Sequence, residues 1–226
     1  MITVHHLEYS QSFRALWLLE ELGAEYELKF YPRDPESNLA PADYKAISPL
    51  GTAPVVTDGD KVIAESNAVI DYILDAHPES PLRPAPGDPA RDKYLFWFHA
   101  CQGSMMPMLF TNMIFDFVSQ GAPFLVKPVM KKTAETVRGM LIEPRLGAIL
   151  DQAEKDLAAH QWLTGDELTA ADIAMCYTMQ AAEQRGFVGD AQPGCQRWIR
   201  QAAERTAFQA AKAKDGGREM LFTLGE

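Results

Sequence analysis

Glu65 and Ser66 open an amphipathic run, Ser66-Asn67-Ala68-Val69-Ile70-Asp71-Tyr72-Ile73, directly after a compact hairpin signal around Asp58-Gly59-Asp60. Ser66 is the residue type that caps a helix, its hydroxyl accepting an orphan N–H of the first turn. The remaining bare N–H groups and the positive dipole end form a place for a carboxylate. Glu65 beside them suits an ammonium, so the pair is expected to hold the end of a ligand that carries both groups, as an α-amino acid does. A second polar cluster, Glu8-Tyr9-Ser10-Gln11-Ser12-Phe13-Arg14, sets three hydroxyls ahead of another helical run, and either serine could cap it. His5 and His6 precede that cluster on a short strand. Strand residues alternate faces, so at most one of the two is expected to point inward, and both read as structural.

These groups need elements to hold them. Ile2 to His6 reads as a strand, Ser12 to Leu22 as a helix stopped by Gly23, and Glu25 to Tyr31 as a second strand. A short helical segment follows around Ala42 to Ile47. Val55 to Thr57 and Lys61 to Ala64 then flank a tight turn, and Ser66 to His77 is the helix that Glu65 introduces. The order βαβαββα, with its parallel βαβ crossover, predicts a thioredoxin-like α/β domain over residues 1–80. Residues 81–89 continue a stretch from His77 to Pro89 that holds five prolines and reads as a linker. Residues 90–226 are almost wholly helical in pattern, so the expected class is α/β plus all-α. Pro107 predicts a kink or break in the first long helix. Thr169 and Asp172 form a capping box that starts a buried helix, with a structural role.

The chain of 226 residues has 47% hydrophobic and 23% charged residues, which places it with ordinary globular proteins. Its 21 basic and 31 acidic residues give a net charge of −10, which argues against nucleic acid or an anionic membrane as partner. The start of the chain lacks the pattern of a signal peptide, and no apolar run approaches the ~20 residues of a membrane span. Cys101, Cys176 and Cys195 are isolated and odd in number, so neither a disulfide framework nor a metal site is expected. The expected location is cytoplasmic.

Four features in order, Ser10 with Arg14 four residues on, Pro54 in Gly51-Thr52-Ala53-Pro54-Val55-Val56, Glu65-Ser66, and the Thr169–Asp172 box, resemble the glutathione transferases. The resemblance covers nearly the whole chain and is greatest to the serine-type, theta-like members. It implies glutathione as co-substrate, with Glu65, Ser66 and Asn67 at its γ-glutamyl end and Lys45 near a carboxylate. It also implies a cis bond before Pro54, which would turn the backbone of Ala53 toward the glutathione cysteine, as an added strand pairs with a sheet edge. Ser10 is the expected thiolate donor, with Tyr9 and Ser12 as alternatives. No cysteine falls in this window, which disfavours the cysteine-type members and their mixed-disulfide chemistry. Lowering a thiol from about 8.5 by two units takes roughly 2.7 kcal/mol. A charge-assisted hydrogen bond supplies about 1.5–3 kcal/mol and a helix N-terminus roughly 0.3–1 kcal/mol, so no metal is required.

The hydrophobic second substrate is expected between the domains, against Met105, Met106, Leu109, Phe110 and Met113, a flexible apolar set. The activity implied is transfer of glutathione to electrophiles. Peroxidase, lyase, isomerase or dehalogenase chemistry at the same thiol and a non-catalytic scaffold are the alternatives. The family also implies a homodimer.

Overall fold

The computed structural model describes residues 1–48 and 50–218; the end of the expected helical domain, 219–226, lies outside the described residues. By packing, the chain forms two compact units. One comprises Met1–Asp88 together with residues 200–218, the other Pro89–Ile199.

The first unit is built on a sheet of four strands, β1 (Thr3–Leu7), β2 (Glu27–Tyr31), β3 (Val55–Asp58) and β4 (Lys61–Ala64), in the order β2-β1-β3-β4. β1 and β2 are parallel, with Thr3 opposite Glu27 and Leu7 opposite Tyr31. The other pairs are antiparallel, Val4 facing Val56 and Val55 facing Ala64. Helix α1 (Phe13–Glu21) makes the crossover between the parallel strands, and α2 (Ala42–Lys45) and α3 (Ser66–Asp75) follow. Because side chains alternate along a strand, Leu7 and Val55 join Tyr44 of α2 in one apolar cluster, while Val4, His6 and Val56 point to the other face.

Every residue of β1 is buried, including both histidines. The expectation that only one could face inward is thereby corrected: both faces of β1 are covered, so alternation does not free either ring. On the His6 face, the last helix contributes to the cover. Helix α9 (Pro193–Glu204) leads into α10 (Thr206–Lys214), which packs on α1 through Phe208, whose ring lies 5.0 Å from that of Phe13 and 5.2 Å from that of Trp17. Arg205 adds a two-pronged ion pair to Glu21 at 2.6 and 2.7 Å. Residues that the sequence assigned to the helical domain therefore complete the α/β unit.

The second unit contains α4 (Arg91–Ala100), α5 (Met106–Gly121), α6 (Lys127–Val137), α7 (Glu143–Ala159) and α8 (Ala170–Gln184). Among the described residues no helix is long and apolar enough to cross a membrane. The interruption expected at Pro107 takes the form of a π turn, Cys101–Met105, after which α5 restarts with the proline in its first turn. A second π turn, Arg138–Ile142, precedes Pro144 in the same way. Proline lacks an N–H and its ring crowds the carbonyl four residues back, which is Gly103 in one case and Met140 in the other. Widening the helix at those positions accommodates the ring.

Buried acids tie this unit together. Asp156 of α7 accepts from Trp97 Nε1 at 3.0 Å and pairs with Lys93 at 2.8 Å. The box at α8 forms as expected. Asp172 accepts from the backbone N–H groups of Leu163 and Thr169, each at 3.0 Å, from the Thr169 hydroxyl at 3.1 Å and from Trp198 Nε1 at 3.0 Å. Burial pushes its carboxyl up, and these four donors pull against that push. Its side chain is a hub for three segments.

Asp172→Ala would strand buried donors, and a loss of about 3–5 kcal/mol is expected, read as a lower denaturant midpoint. A second prediction comes from the start of α3. Glu65 occupies the N-cap position with φ 76° and ψ 130°, a conformation that costs a side-chain-bearing residue about 1–3 kcal/mol. Glu65→Gly is expected to raise stability by about 1 kcal/mol after the entropy cost of glycine, again by denaturation; an unchanged or lower midpoint would contradict it.

Candidate functional site

The two polar clusters of the sequence meet in the α/β unit through one side chain that carried no expectation, Gln11. Ser66 Oγ donates to Gln11 Oε1 at 3.1 Å, across 55 positions of chain. Arg14, whose side chain is buried, donates to the same oxygen through Nη1. The loop between β1 and α1 is thereby held against the N-terminal end of α3.

The capping expectation for Ser66 is corrected here. Glu65 is the N-cap, and Ser66 is the first residue of the helix, its hydroxyl committed to Gln11 rather than to the helix backbone. The arrangement still joins what the sequence joined: an exposed carboxylate, a buried hydroxyl and a helix N-terminus lie at consecutive positions. Asn67 is half-buried in the first turn, and Lys45 is exposed in α2. The Ala53–Pro54 bond is cis, and Pro54 is buried at the entry to β3 while Ala53 remains partly exposed.

The three hydroxyls of the loop have different fates. Tyr9 sits at φ 49° and is partly exposed, its carbonyl accepting from Arg33 at 3.2 Å. Ser10 keeps 7% of its surface; its Oγ donates to the Leu7 carbonyl at 2.6 Å and lies 2.6 Å from Ser12 Oγ. Ser12 has no exposed surface at all. It is the N-cap of α1 by position, yet its side chain does not cap the helix; it meets His6 Nδ1 at 2.7 Å instead. The buried position of Ser12 removes it as a group that could touch a ligand, and Ser10 and Tyr9 remain.

Sequence reasoning treated His6 as a structural residue and did not connect it to anything. Its Nε2 meets Asp215 Oδ1 at 2.7 Å, across 209 positions of chain, with both side chains buried. No local spacing could have announced that pair. His5, on the opposite face, bonds the Tyr31 hydroxyl at 3.1 Å and Thr57 Oγ1 at 3.0 Å. Burial, and then the nearby Lys29 charge, hold its pKa below the ordinary histidine value.

All three cysteines are buried in the helical unit, and burial followed by the Glu154 charge pushes the Cys195 thiol up to about 12. Buried as they are, none of the three offers its sulfur to a thiol in solution. Of the apolar residues expected to face a second substrate, Met105 and Leu109 belong to the core of the helical unit and offer no surface. Their turns face inward, whereas Phe110 is 55% exposed and Met106 and Met113 are partly so.

Comparison with known proteins bears on the whole chain. Residues 10–76 match the model of the glutathione S-transferase N-terminal domain and residues 125–205 that of the glutathione S-transferase C-terminal domain. A curated relative, glutathione S-transferase 3 of Schizosaccharomyces pombe, is 30% identical over 215 residues, 95% of this chain and 88% of that protein. The crystal structure of a glutathione S-transferase from Actinobacillus pleuropneumoniae superposes with a TM-score of 0.76 at 32% identity, covering 96% of this chain and 93% of that one. A glutathione transferase homologue from Sulfitobacter, solved with bound glutathione, shares the fold at a TM-score of 0.74 and 20% identity, over 95% and 98% of the two chains. With the cis proline, the acid–serine pair and the hydroxyl loop assembled on a sheet of this order, the chain belongs to the glutathione S-transferase family and is a glutathione-dependent transferase.

Proposed function

We propose that the α/β unit binds glutathione with its γ-glutamyl end at Glu65, Ser66 and the N-terminus of α3, and that Ser10 donates a hydrogen bond to its thiolate. The observation that carries this reading is the Ser66–Gln11 bond at 3.1 Å, since Gln11 directly follows Ser10. One ligand can then reach the helix tip and the hydroxyl loop together. Glu65 supplies the negative charge for the ammonium, the α3 dipole favours the carboxylate, and the backbone of Ala53 pairs with the central cysteine. Asn67 and Lys45 have lesser parts, at the first turn and toward a carboxylate. The Sulfitobacter homologue, which carries glutathione, supports the choice of ligand.

The chemistry is activation of the thiol for attack on a hydrophobic electrophile. In water only a few per cent of such a thiol is ionised at neutral pH. A hydrogen bond from Ser10 to the charged sulfur, worth about 1.5–3 kcal/mol, shifts that balance toward thiolate by one to two units. Of the five apolar residues expected to face the electrophile, Phe110, Met106 and Met113 still offer surface. A homodimer belongs to the same reading. Phe117, Phe124 and Leu125 stand 64%, 88% and 87% exposed, the kind of apolar surface a second copy would cover.

Glutathione bound to the unaltered protein is expected to show the ultraviolet absorbance of a thiolate. Ser10→Ala should abolish the band and lower turnover at neutral pH roughly 25-fold, the change in ionised fraction for two units. A band that persists in Ser10→Ala overturns the assignment and leaves Tyr9 as the candidate. Ser66→Ala and Glu65→Gln are expected to weaken glutathione affinity about tenfold while the acidity of the bound thiol stays where it was, measured by titrating the band against pH.

A further inference from the structure

Ser12 opens a helix without capping it and cannot reach a ligand, so its hydroxyl has another use. Four short contacts run in series through it. Asp215 Oδ1 meets His6 Nε2 at 2.7 Å, His6 Nδ1 meets Ser12 Oγ at 2.7 Å, Ser12 Oγ meets Ser10 Oγ at 2.6 Å, and Ser10 Oγ meets the Leu7 carbonyl at 2.6 Å. Each contact needs one hydrogen. A carboxylate and a carbonyl bring none, the two hydroxyls bring one each and a neutral imidazole brings one. With the imidazole neutral, three hydrogens serve four contacts, and the chain has a place for one more. Its inner end is sealed, His6 being 1% and Asp215 3% exposed, and its outlet is Ser10.

We propose that this chain takes up the thiol proton of glutathione, with His6 as the residue that finally holds it. The proposal rests on Ser10 being the group that meets the sulfur. In the step, the S–H bond breaks and its hydrogen bonds to Ser10 Oγ. The original Ser10 hydrogen passes to Ser12 Oγ, and the Ser12 hydrogen passes to His6 Nδ1. Sulfur keeps the electron pair and becomes thiolate, the imidazole becomes imidazolium, and Asp215 supplies the counter-charge. At the end Nε2–H points to Asp215, Nδ1–H to Ser12, Ser12 O–H to Ser10 and Ser10 O–H to the sulfur. The Leu7 carbonyl is the acceptor given up. The backbone N–H of Ser12, 3.2 Å from Ser10 Oγ, keeps that oxygen oriented throughout.

A serine, a histidine and an aspartate in line resemble a hydrolase triad, but Ser12 is too deeply buried to be a nucleophile. The surroundings suit a proton held in place. Phe30 of β2 lies 5.8 Å from the imidazole, ring to ring. Among the described residues, the charged groups nearby include Arg218, which stacks 4.6 Å over Phe30, donates to the Asp215 carbonyl and pairs with Glu8 at 3.1 Å, and Arg14 of α1, which donates to Gln11.

The test counts protons. Binding heats at neutral pH, taken in buffers of different ionisation enthalpy, give protons released per glutathione, with S-methylglutathione as the baseline that lacks a thiol proton. The unaltered protein is expected to show a full thiolate band with close to no proton released beyond that baseline. Release of about one proton per thiolate overturns the relay. Ser12→Ala cuts the chain while leaving the His6–Asp215 pair in place; it is expected to release the proton that the unaltered protein keeps and to raise the thiol midpoint by about one unit. A Ser12→Ala protein equal to the unaltered one in both respects also overturns it. Ser10→Ala separates the two readings. Loss of its band, with proton release by the unaltered protein, removes the relay and leaves Ser10 in its role, whereas a persistent band removes both.

Discussion

A strand covered on both faces cannot carry two histidines unless each ring nitrogen finds a partner, because a buried polar atom left without one costs about 1–3 kcal/mol. β1 is such a strand, and much of the architecture around the site answers that demand. On one face Tyr31 and Thr57 serve His5 from the neighbouring strands. On the other, Ser12 and Asp215 serve His6 from the start of α1 and from the turn after α10. The second solution closes the α/β unit with the far end of the chain. It also fixes a hydroxyl in the loop where the ligand is proposed to sit.

Gln11 performs the other joining task. Its side-chain oxygen collects Ser66 from α3 and Arg14 from α1, so the loop after β1 is tied on one side to the helix tip and on the other to the histidine. The orientation of this polar segment is set by side chains of the protein itself. Pre-organisation of this kind reduces what binding must spend on ordering the site.

The elements themselves were legible because their signals are local. The hairpin turn, the glycine after α1, the proline-rich stretch and the period of the long helices each act within a few residues, and the strands and helices of residues 1–80 have bounds within a few positions of the expected ones. The capping box at Thr169 and Asp172 was equally readable. What escaped depends on distance along the chain. His6 and Asp215 are 209 positions apart, and nothing near either residue reports the other. The fate of Ser12 and Ser66 escaped for a related reason: both occupy helix starts, where capping is the usual use of a hydroxyl, but tertiary partners outbid the local backbone. The burial of Met105 and Leu109, beside exposed Phe110, depends on which side of the helix its neighbours cover, and an apolar run with methionines on several sides does not state that side.

The two π turns have a wider meaning for the helical unit. A helix advances about 100° per residue, and a π turn accommodates one residue more than an α turn. Cys101–Met105 and Arg138–Ile142 therefore each take up one extra residue, so that every position downstream lags uninterrupted winding by about that angle. The two turns act as slack in the winding, each holding one residue. Loss of a single residue within either segment would return the helix to regular winding and leave the stripe that α5 or α7 presents unchanged, because the residue removed is the one the wide turn had taken up. In this architecture, a one-residue change of length at two proline-guarded positions is absorbed where it occurs, and the packed faces of α5 and α7 stay where they are.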